Sequence, residues 1–256
     1  SRPVSIAGDE FHFLKNNTQQ TPKITIVSPP TMHMFRLEKT IKPGVYDSTK
    51  DYFSDLAQVY REEINALADA GCTYIQLDDV PIPMLSDPKV QARVKEEGLN
   101  PIQLMDDYIE LFNDCLSERP KGVTIAVHMC RGNYKGKFLS EGGYETFADK
   151  FFNELNVDAF FLEYDSPRAG DFEPLKYVPK NKMVVLGLVS SKAPQMESID
   201  SLKTRIDEAA KFVDIDQLAL SPQCGFASTV AGNPITLDDE KAKLSLIVKV
   251  ADQVWG

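Results

Sequence analysis

Val123-Thr-Ile-Ala-Val-His-Met-Cys130 is a near-continuous apolar run that ends on an imidazole and a thiol. A strand buried on both faces of a parallel sheet reads this way, because neither face can stay polar. The segments Lys23–Ser28, Cys72–Asp78, Val157–Tyr164, Met183–Val189 and Gln217–Ser221 follow the same rule. Between them, apolar residues recur every three or four positions, the period of a helix with one buried face. Phe53, Leu56, Ala57, Tyr60, Ile64 and Leu67 form one such stripe, with Gly71 placed to end it. Leu104, Met105, Tyr108, Leu111, Phe112 and Cys115 form another, behind the N-cap and first-turn pair Asn100-Pro101. Tyr144, Phe147, Ala148 and Phe151 make a third, and Leu202, Ile206, Ala209, Ala210 and Val213 a fourth. The last runs from Thr236 to about Val254, with Leu244, Ile247, Val248, Ala251 and Val254 expected inward and a capping-box-like start at Thr236 and Asp239.

Strand–helix alternation of this kind implies an α/β fold with a parallel sheet, either doubly wound or closed into a barrel. The barrel is favoured, because the polar candidates sit at the C-terminal ends of strands, where barrel enzymes build their sites. No Gly-x-Gly-x-x-Gly turn or P-loop follows any strand. Six strand–helix units are visible, whereas a (β/α)8 TIM barrel has eight. The first 22 residues are polar and irregular, too short to hold two more units. The expectation is therefore a TIM barrel lacking its first two β/α units in this chain. Residues 1–256 would form one N-terminally incomplete domain, with 1–22 an irregular lead-in.

The composition sets bounds. With 43% hydrophobic and 26% charged residues, the 256-residue chain reads as globular. No apolar run reaches the roughly 18 residues of a membrane span, and no charged-then-apolar leader opens the chain, so neither membrane nor secretion is expected. A net charge of −10 argues against a nucleic-acid partner. Four cysteines without framework spacing point to a reducing, cytoplasmic setting.

His128, Cys130, Glu163 and Cys224 each end a strand. One imidazole, two thiols and a carboxylate are a credible set of ligands for tetrahedral Zn2+. His128 and Cys130 are two apart, so one strand presents both on one face. Convergence with Glu163 and Cys224 is not fixed by spacing. Each residue also has a structural reading: a buried thiol packs, a histidine hydrogen-bonds, and Glu163 has Arg168 as a nearby partner. Two thiolates and a carboxylate outweigh the charge of Zn2+, so such a site suits holding a substrate thiol as thiolate rather than activating water. Cys72 and Cys115 read as core, and His12 and His33 lie in loop-like contexts. Asp78-Asp79 ends a strand and is suited to binding a substrate ammonium or to acid–base work, Asp78 more than Asp79. Ser28 opens a rigid Ser-Pro-Pro turn at the same rim, Arg131 starts a loop behind the His-Cys pair, and Lys192 is placed to meet an anion.

These stretches, Tyr74-Ile-Gln-Leu-Asp-Asp79, His128-Met-Cys-Arg-Gly-Asn133, Phe161-Leu-Glu-Tyr-Asp165 and Leu220-Ser-Pro-Gln-Cys-Gly-Phe226, resemble the catalytic domain of cobalamin-independent methionine synthase. The chain is more closely similar to the shorter single-barrel relatives of that enzyme. The resemblance spans about Lys23 to Gly256. It implies a zinc enzyme that methylates the homocysteine sulfur from 5-methyltetrahydrofolate (polyglutamate). His128, Cys130, Glu163 and Cys224 would be its metal ligands, and Asp78 the aspartate that holds the homocysteine amino group.

Three departures accompany it. The family's serine and glutamate contacts to the amino acid lie on earlier strands, absent here. Gly187-Leu-Val-Ser-Ser-Lys192 carries no histidine where the family has one after its seventh strand. The loop Thr31-Met-His-Met-Phe35 lacks the folate-stacking tryptophan, and Trp255 is the only tryptophan in the chain. The alternatives are alkyl transfer to a thiol from another donor, such as methylcobalamin, and a non-catalytic barrel with a structural zinc. Apolar surface at an incomplete barrel would favour a homo-oligomer.

Overall fold

The structure, a computed structural model, describes residues 4–256. Its strands are β1 (Ile24–Val27), β2 (Tyr74–Asp79), β3 (Thr124–Met129), β4 (Ala159–Glu163), β5 (Met183–Val189) and β6 (Leu218–Pro222). All neighbours pair in parallel, in the order β1-β2-β3-β4-β5-β6. A doubly wound sheet reverses its strand order at a switch point. This sheet never does, so its sequential order is that of a barrel wall, here six of the eight strands of a (β/α)8 barrel. Among the described residues, β1 and β6 are its two edges.

The helices are α1 (Gly8–Asn16), α2 (Thr31–Met34), α3 (Thr49–Asp69), α4 (Pro81–Met84), α5 (Pro88–Glu96), α6 (Pro101–Leu116), α7 (Ala148–Glu154), α8 (Ile199–Ala209) and α9 (Leu237–Trp255). Strand alternation divides the packing. On β4, Phe160 and Leu162 are buried towards the helices, where Phe160 packs edge-on against Phe152 at 4.9 Å and Phe151 at 6.0 Å between ring centres. Their neighbours Phe161 and Glu163 point to the other face. On β2, Ile75 and Leu77 are likewise fully buried on the helix side.

The expected helix signals act as chemistry requires. The Asn100 side chain accepts hydrogen bonds from the Ile102 and Gln103 N–H groups. Gly71, at φ +92°, follows α3, and the Gly71 and Cys72 N–H groups bond back to Ala68 and Leu67. That pair is a Schellman closure, which needs the left-handed conformation glycine adopts freely. Thr236 and Asp239 make a reciprocal capping box.

The structure corrects several expectations. The lead-in is not irregular throughout: Gly8–Asn16 is helical and Phe11 is fully buried. Its start is held by Glu63 of α3, which accepts from the Ser5 hydroxyl and the Ile6 and Ala7 N–H groups. His12 therefore lies on a helix rather than in a loop. His33 lies on α2, buried, with Nδ1 2.9 Å from the Tyr108 hydroxyl. Tyr144 and Phe147 precede α7 rather than lying on it. On α9, Leu244 and Val248 are 42% and 60% exposed, because the buried stripe runs through Lys243, Ile247 and Val250 instead. No helix among the described residues is long and apolar enough to cross a membrane.

Candidate metal centre

The end of β3 carries His128, with Cys130 just beyond; Glu163 ends β4 and Cys224 follows β6. Strand register sets these groups side by side: Asp78 pairs with His128, His128 with Phe161, and Glu163 with Gly187. The register then shifts between Gly187 and Val189, and the chain of β6 crosses close over the glycine. A Cβ at Gly187 would lie 2.8 Å from both the Gln223 Cα and the Leu162 carbonyl oxygen. Glycine is thus what admits the segment that brings Cys224 over the sheet end.

The ligand atoms of His128, Cys130, Glu163 and Cys224 all lie within 4.8 Å of one another. The two Sγ atoms are 3.8 Å apart, and His128 Nε2 is 4.0 Å from Glu163 Oε1. Two thiolates at about 2.3 Å from a tetrahedral zinc would sit about 3.8 Å from each other, so the sulfurs already have the right separation. His128 Nδ1 faces the Phe161 carbonyl oxygen at 3.3 Å, which fixes the proton on that nitrogen. Its Nε2 is buried without a hydrogen-bond partner among the described residues. A buried, unpartnered ring nitrogen beside two sulfurs and a carboxylate oxygen fits a metal ligand.

The electrostatics agree with that reading. Hydrogen bonding from Cys130 pulls the Cys224 thiol far down from its usual range, against burial and with help from His128. The Cys130 thiol moves up in return, as sharing a proton with Cys224 and burial both raise it. Burial pulls the His128 imidazole down, but the Cys224 sulfur, Asp78 and Glu163 outweigh it and raise its pKa to about 9. The site thus collects negative charge and asks for a cation. Glu163 is fully buried; its Oε1 accepts from the Arg131 N–H at 3.3 Å and from Gln223 Nε2 at 3.4 Å. Arg168, the partner anticipated for it, places Nη2 3.4 Å from Oε2.

The remaining expected residues divide. Asp78 faces the cluster, close enough to His128 and Cys224 for their charges to act on it. Burial pushes its carboxyl up, while Gln76 donates to Oδ1 at 2.7 Å and is itself held by Lys23 Nζ at 2.6 Å. Lys192 also reaches the site, with Nζ 3.9 Å from Glu163 Oε2. Ser28 and Asp79 are not brought into the cluster. Strand alternation turns Asp79 into the wall, where it accepts from the Ser28 hydroxyl at 2.6 Å and from the Ile82 N–H at 2.8 Å. Arg131, expected to line a binding loop, is 1% exposed; its guanidinium stacks on the Tyr144 ring at 4.1 Å and donates to the Tyr144 hydroxyl. It forms the back wall of Glu163. The sequence reading missed Gln223, Gln76, Lys23 and Asp165. Gln223 had a signal, since it directly precedes Cys224.

A family model described as "Cobalamin-independent synthase, Catalytic domain" matches residues 39–253. The chain is 44% identical to the uncharacterised protein YxjH of Bacillus subtilis (strain 168), over 92% of this chain and 62% of that protein. It is 27% identical to a methionine synthase of Pyrococcus horikoshii, over 85% of this chain and 54% of that one. The chain thus spans less than two thirds of the length of these relatives. A solved structure from Listeria monocytogenes, assigned as a vitamin-B12-independent methionine synthase, superposes with a TM-score of 0.75 at 30% identity. The superposition covers 100% of this chain and 73% of that one. By its matched residues, its strand order and its sequence relatives, the chain belongs to the family of cobalamin-independent synthase catalytic domains.

Proposed function

We propose that this chain is a zinc-dependent methyltransferase that moves a methyl group from 5-methyltetrahydrofolate (polyglutamate) to the thiol of homocysteine, giving methionine. The observation that carries the proposal is the approach of His128, Cys130, Glu163 and Cys224 within 4.8 Å at the C-terminal ends of the strands. Residues 4–256 act in this reading as one barrel domain. A zinc ion held by those four residues would lower the pKa of a bound thiol and keep it a nucleophilic thiolate at neutral pH.

The chain's own groups do the rest. Asp78 holds the substrate amino group with a carboxylate that Gln76 orients through Oδ1. His128 keeps its proton on Nδ1, against the Phe161 carbonyl, so that Nε2 stays a ligand. Arg131 and Gln223 fix Glu163 Oε1 beside the sulfurs. The homocysteine sulfur then attacks the methyl carbon in line; the S–CH3 bond forms as the N5–CH3 bond of the folate breaks, N5 takes up a proton from solvent, and the step gains chiefly from positioning.

The test is methionine formation by the zinc-loaded protein with homocysteine and either 5-methyltetrahydrofolate triglutamate or methylcobalamin. Turnover with the folate supports the proposal. Turnover with methylcobalamin alone keeps thiol activation and replaces the donor. No turnover with either donor, in protein that binds zinc and homocysteine, counts against methyl transfer by this chain.

A further inference from the structure

Glu163 stands between two competing environments. Its Oε1 lies on the cluster side, 4.0 Å from His128 Nε2. Its Oε2 faces two cations, with Arg168 Nη2 at 3.4 Å and Lys192 Nζ at 3.9 Å. Asp165 lies behind them, 3.3 Å from the same Arg168 nitrogen and 4.0 Å from the same Lys192 nitrogen. The Ser190 hydroxyl donates to Asp165 Oδ2 at 2.8 Å and so holds that anchor in place. Both cations are nine-tenths buried, and Lys192 Nζ and Arg168 Nη1 have no hydrogen-bond partner among the described residues. The sulfurs have no such attraction away from the cluster. Cys130 meets the Gly132 N–H, and Cys224 meets the Ser228 hydroxyl.

We propose that Arg168 and Lys192 form a cradle that receives the Glu163 carboxylate when an external thiol joins the metal, so that these two side chains set how readily Glu163 leaves. The inference rests on the zinc-thiolate reading above and names the residues that set the ease of exchange. Glu163 gives up its bond to the metal, the incoming sulfur forms one, and the thiol proton passes to the buffer; nothing is oxidised or reduced. At 3.9 Å, Lys192 is about 1 Å short of a charge-assisted hydrogen bond to Oε2. The pair therefore has room to tighten as the carboxylate leaves. Because Asp165 anchors both cations before and after, the carboxylate moves while the cradle stays. Arg168 and Lys192 are positioning residues in this scheme, since they act through Glu163.

The experiment is zinc-edge X-ray absorption on the zinc-loaded chain, with and without L-homocysteine, for wild type, Lys192→Met and Lys192→Arg, with zinc content measured on each. Wild type is expected to exchange one oxygen neighbour for one sulfur. Lys192→Met is expected to keep about one zinc per chain and to retain the oxygen at homocysteine concentrations that saturate wild type. Its half-saturating homocysteine would rise about tenfold, the lower end of effects for residues behind metal ligands. Lys192→Arg is expected to restore the exchange. If Lys192→Met exchanges oxygen for sulfur as readily as wild type, the cradle is overturned and the zinc-thiolate reading stands. If Lys192→Met loses its zinc, the lysine supports the ligand instead of competing for it, and the cradle is again overturned. If wild type binds zinc but gains no sulfur, thiol activation fails and takes the cradle with it.

Discussion

Asp79 provides a titration that the fold itself should report. Its carboxyl is fully buried, and burial pushes its pKa from 3.8 up to about 7, against hydrogen bonds from Ser28 and Ile82 and the charge of His128. The folded state therefore holds a proton on Asp79 that the unfolded chain releases near pH 4. The sign follows from proton uptake: between these two values the native state binds more protons, so stability falls as pH rises. The stabilisation is fully present below about pH 4 and is lost by the time the pH passes about 7. A shift of about three units at 1.36 kcal/mol each amounts to roughly 4 kcal/mol, of which about 2 kcal/mol is lost between pH 5 and pH 7. Asp79→Asn mimics the protonated acid. Its amide can donate to the Ser28 oxygen, whose own O–H can turn to donate to the Thr31 hydroxyl 3.0 Å away, while the remaining oxygen accepts from the Ile82 N–H. Urea unfolding of both proteins at pH 5 and pH 7 reads the effect as a difference, which cancels groups common to both. The variant is expected to gain about 2 kcal/mol on wild type over that interval. Parallel profiles would refute the reasoning, because Asp79 would then carry its charge inside the fold.

Three further outcomes follow from the geometry. Cys224→Ala removes one of the two sulfurs 3.8 Å apart and is expected to abolish stoichiometric zinc by mass spectrometry, leaving the fold intact by circular dichroism. Asp78→Asn is expected to retain zinc but to raise half-saturating homocysteine by about tenfold or more, the cost of losing a charge-assisted contact; unchanged homocysteine binding would remove Asp78 from the substrate site. Phe160→Ala empties a fully buried ring position packed on Phe151 and Phe152 and should cost about 3–5 kcal/mol of stability in urea titration. A loss below 1 kcal/mol would mean that the β4–α7 layer repacks.

The strands were legible because parallel strands covered on both faces show as apolar runs, and Met183–Val189 appears with the boundaries read from sequence. Helix α1 was hidden because its residues are mostly polar; it is held by Glu63, more than fifty residues away in the chain. Leu244 and Val248 misled because a long helix admits two adjacent apolar stripes, and only packing decides which is covered. At the site, the two-residue spacing of His128 and Cys130 was visible as one face of one strand. The arrival of Cys224 was not, since it depends on a register shift at Gly187. Asp78 and Asp79 are adjacent in sequence yet face opposite sides of β2, one towards His128 and the other into the Ser28 latch. Arg131 read as a loop cation because its burial comes from Tyr144, whose ring lies thirteen residues further on.

Metal content with thiol-dependent proton release tests the central claim most directly. Purified protein reconstituted with zinc under reducing conditions is measured by mass spectrometry, and homocysteine is then added while proton release is followed. The account predicts about one zinc per chain and about one proton released per homocysteine bound, as the thiol ionises on joining the site. Zinc absent after reconstitution, or zinc present with no proton released at saturating homocysteine, would contradict it.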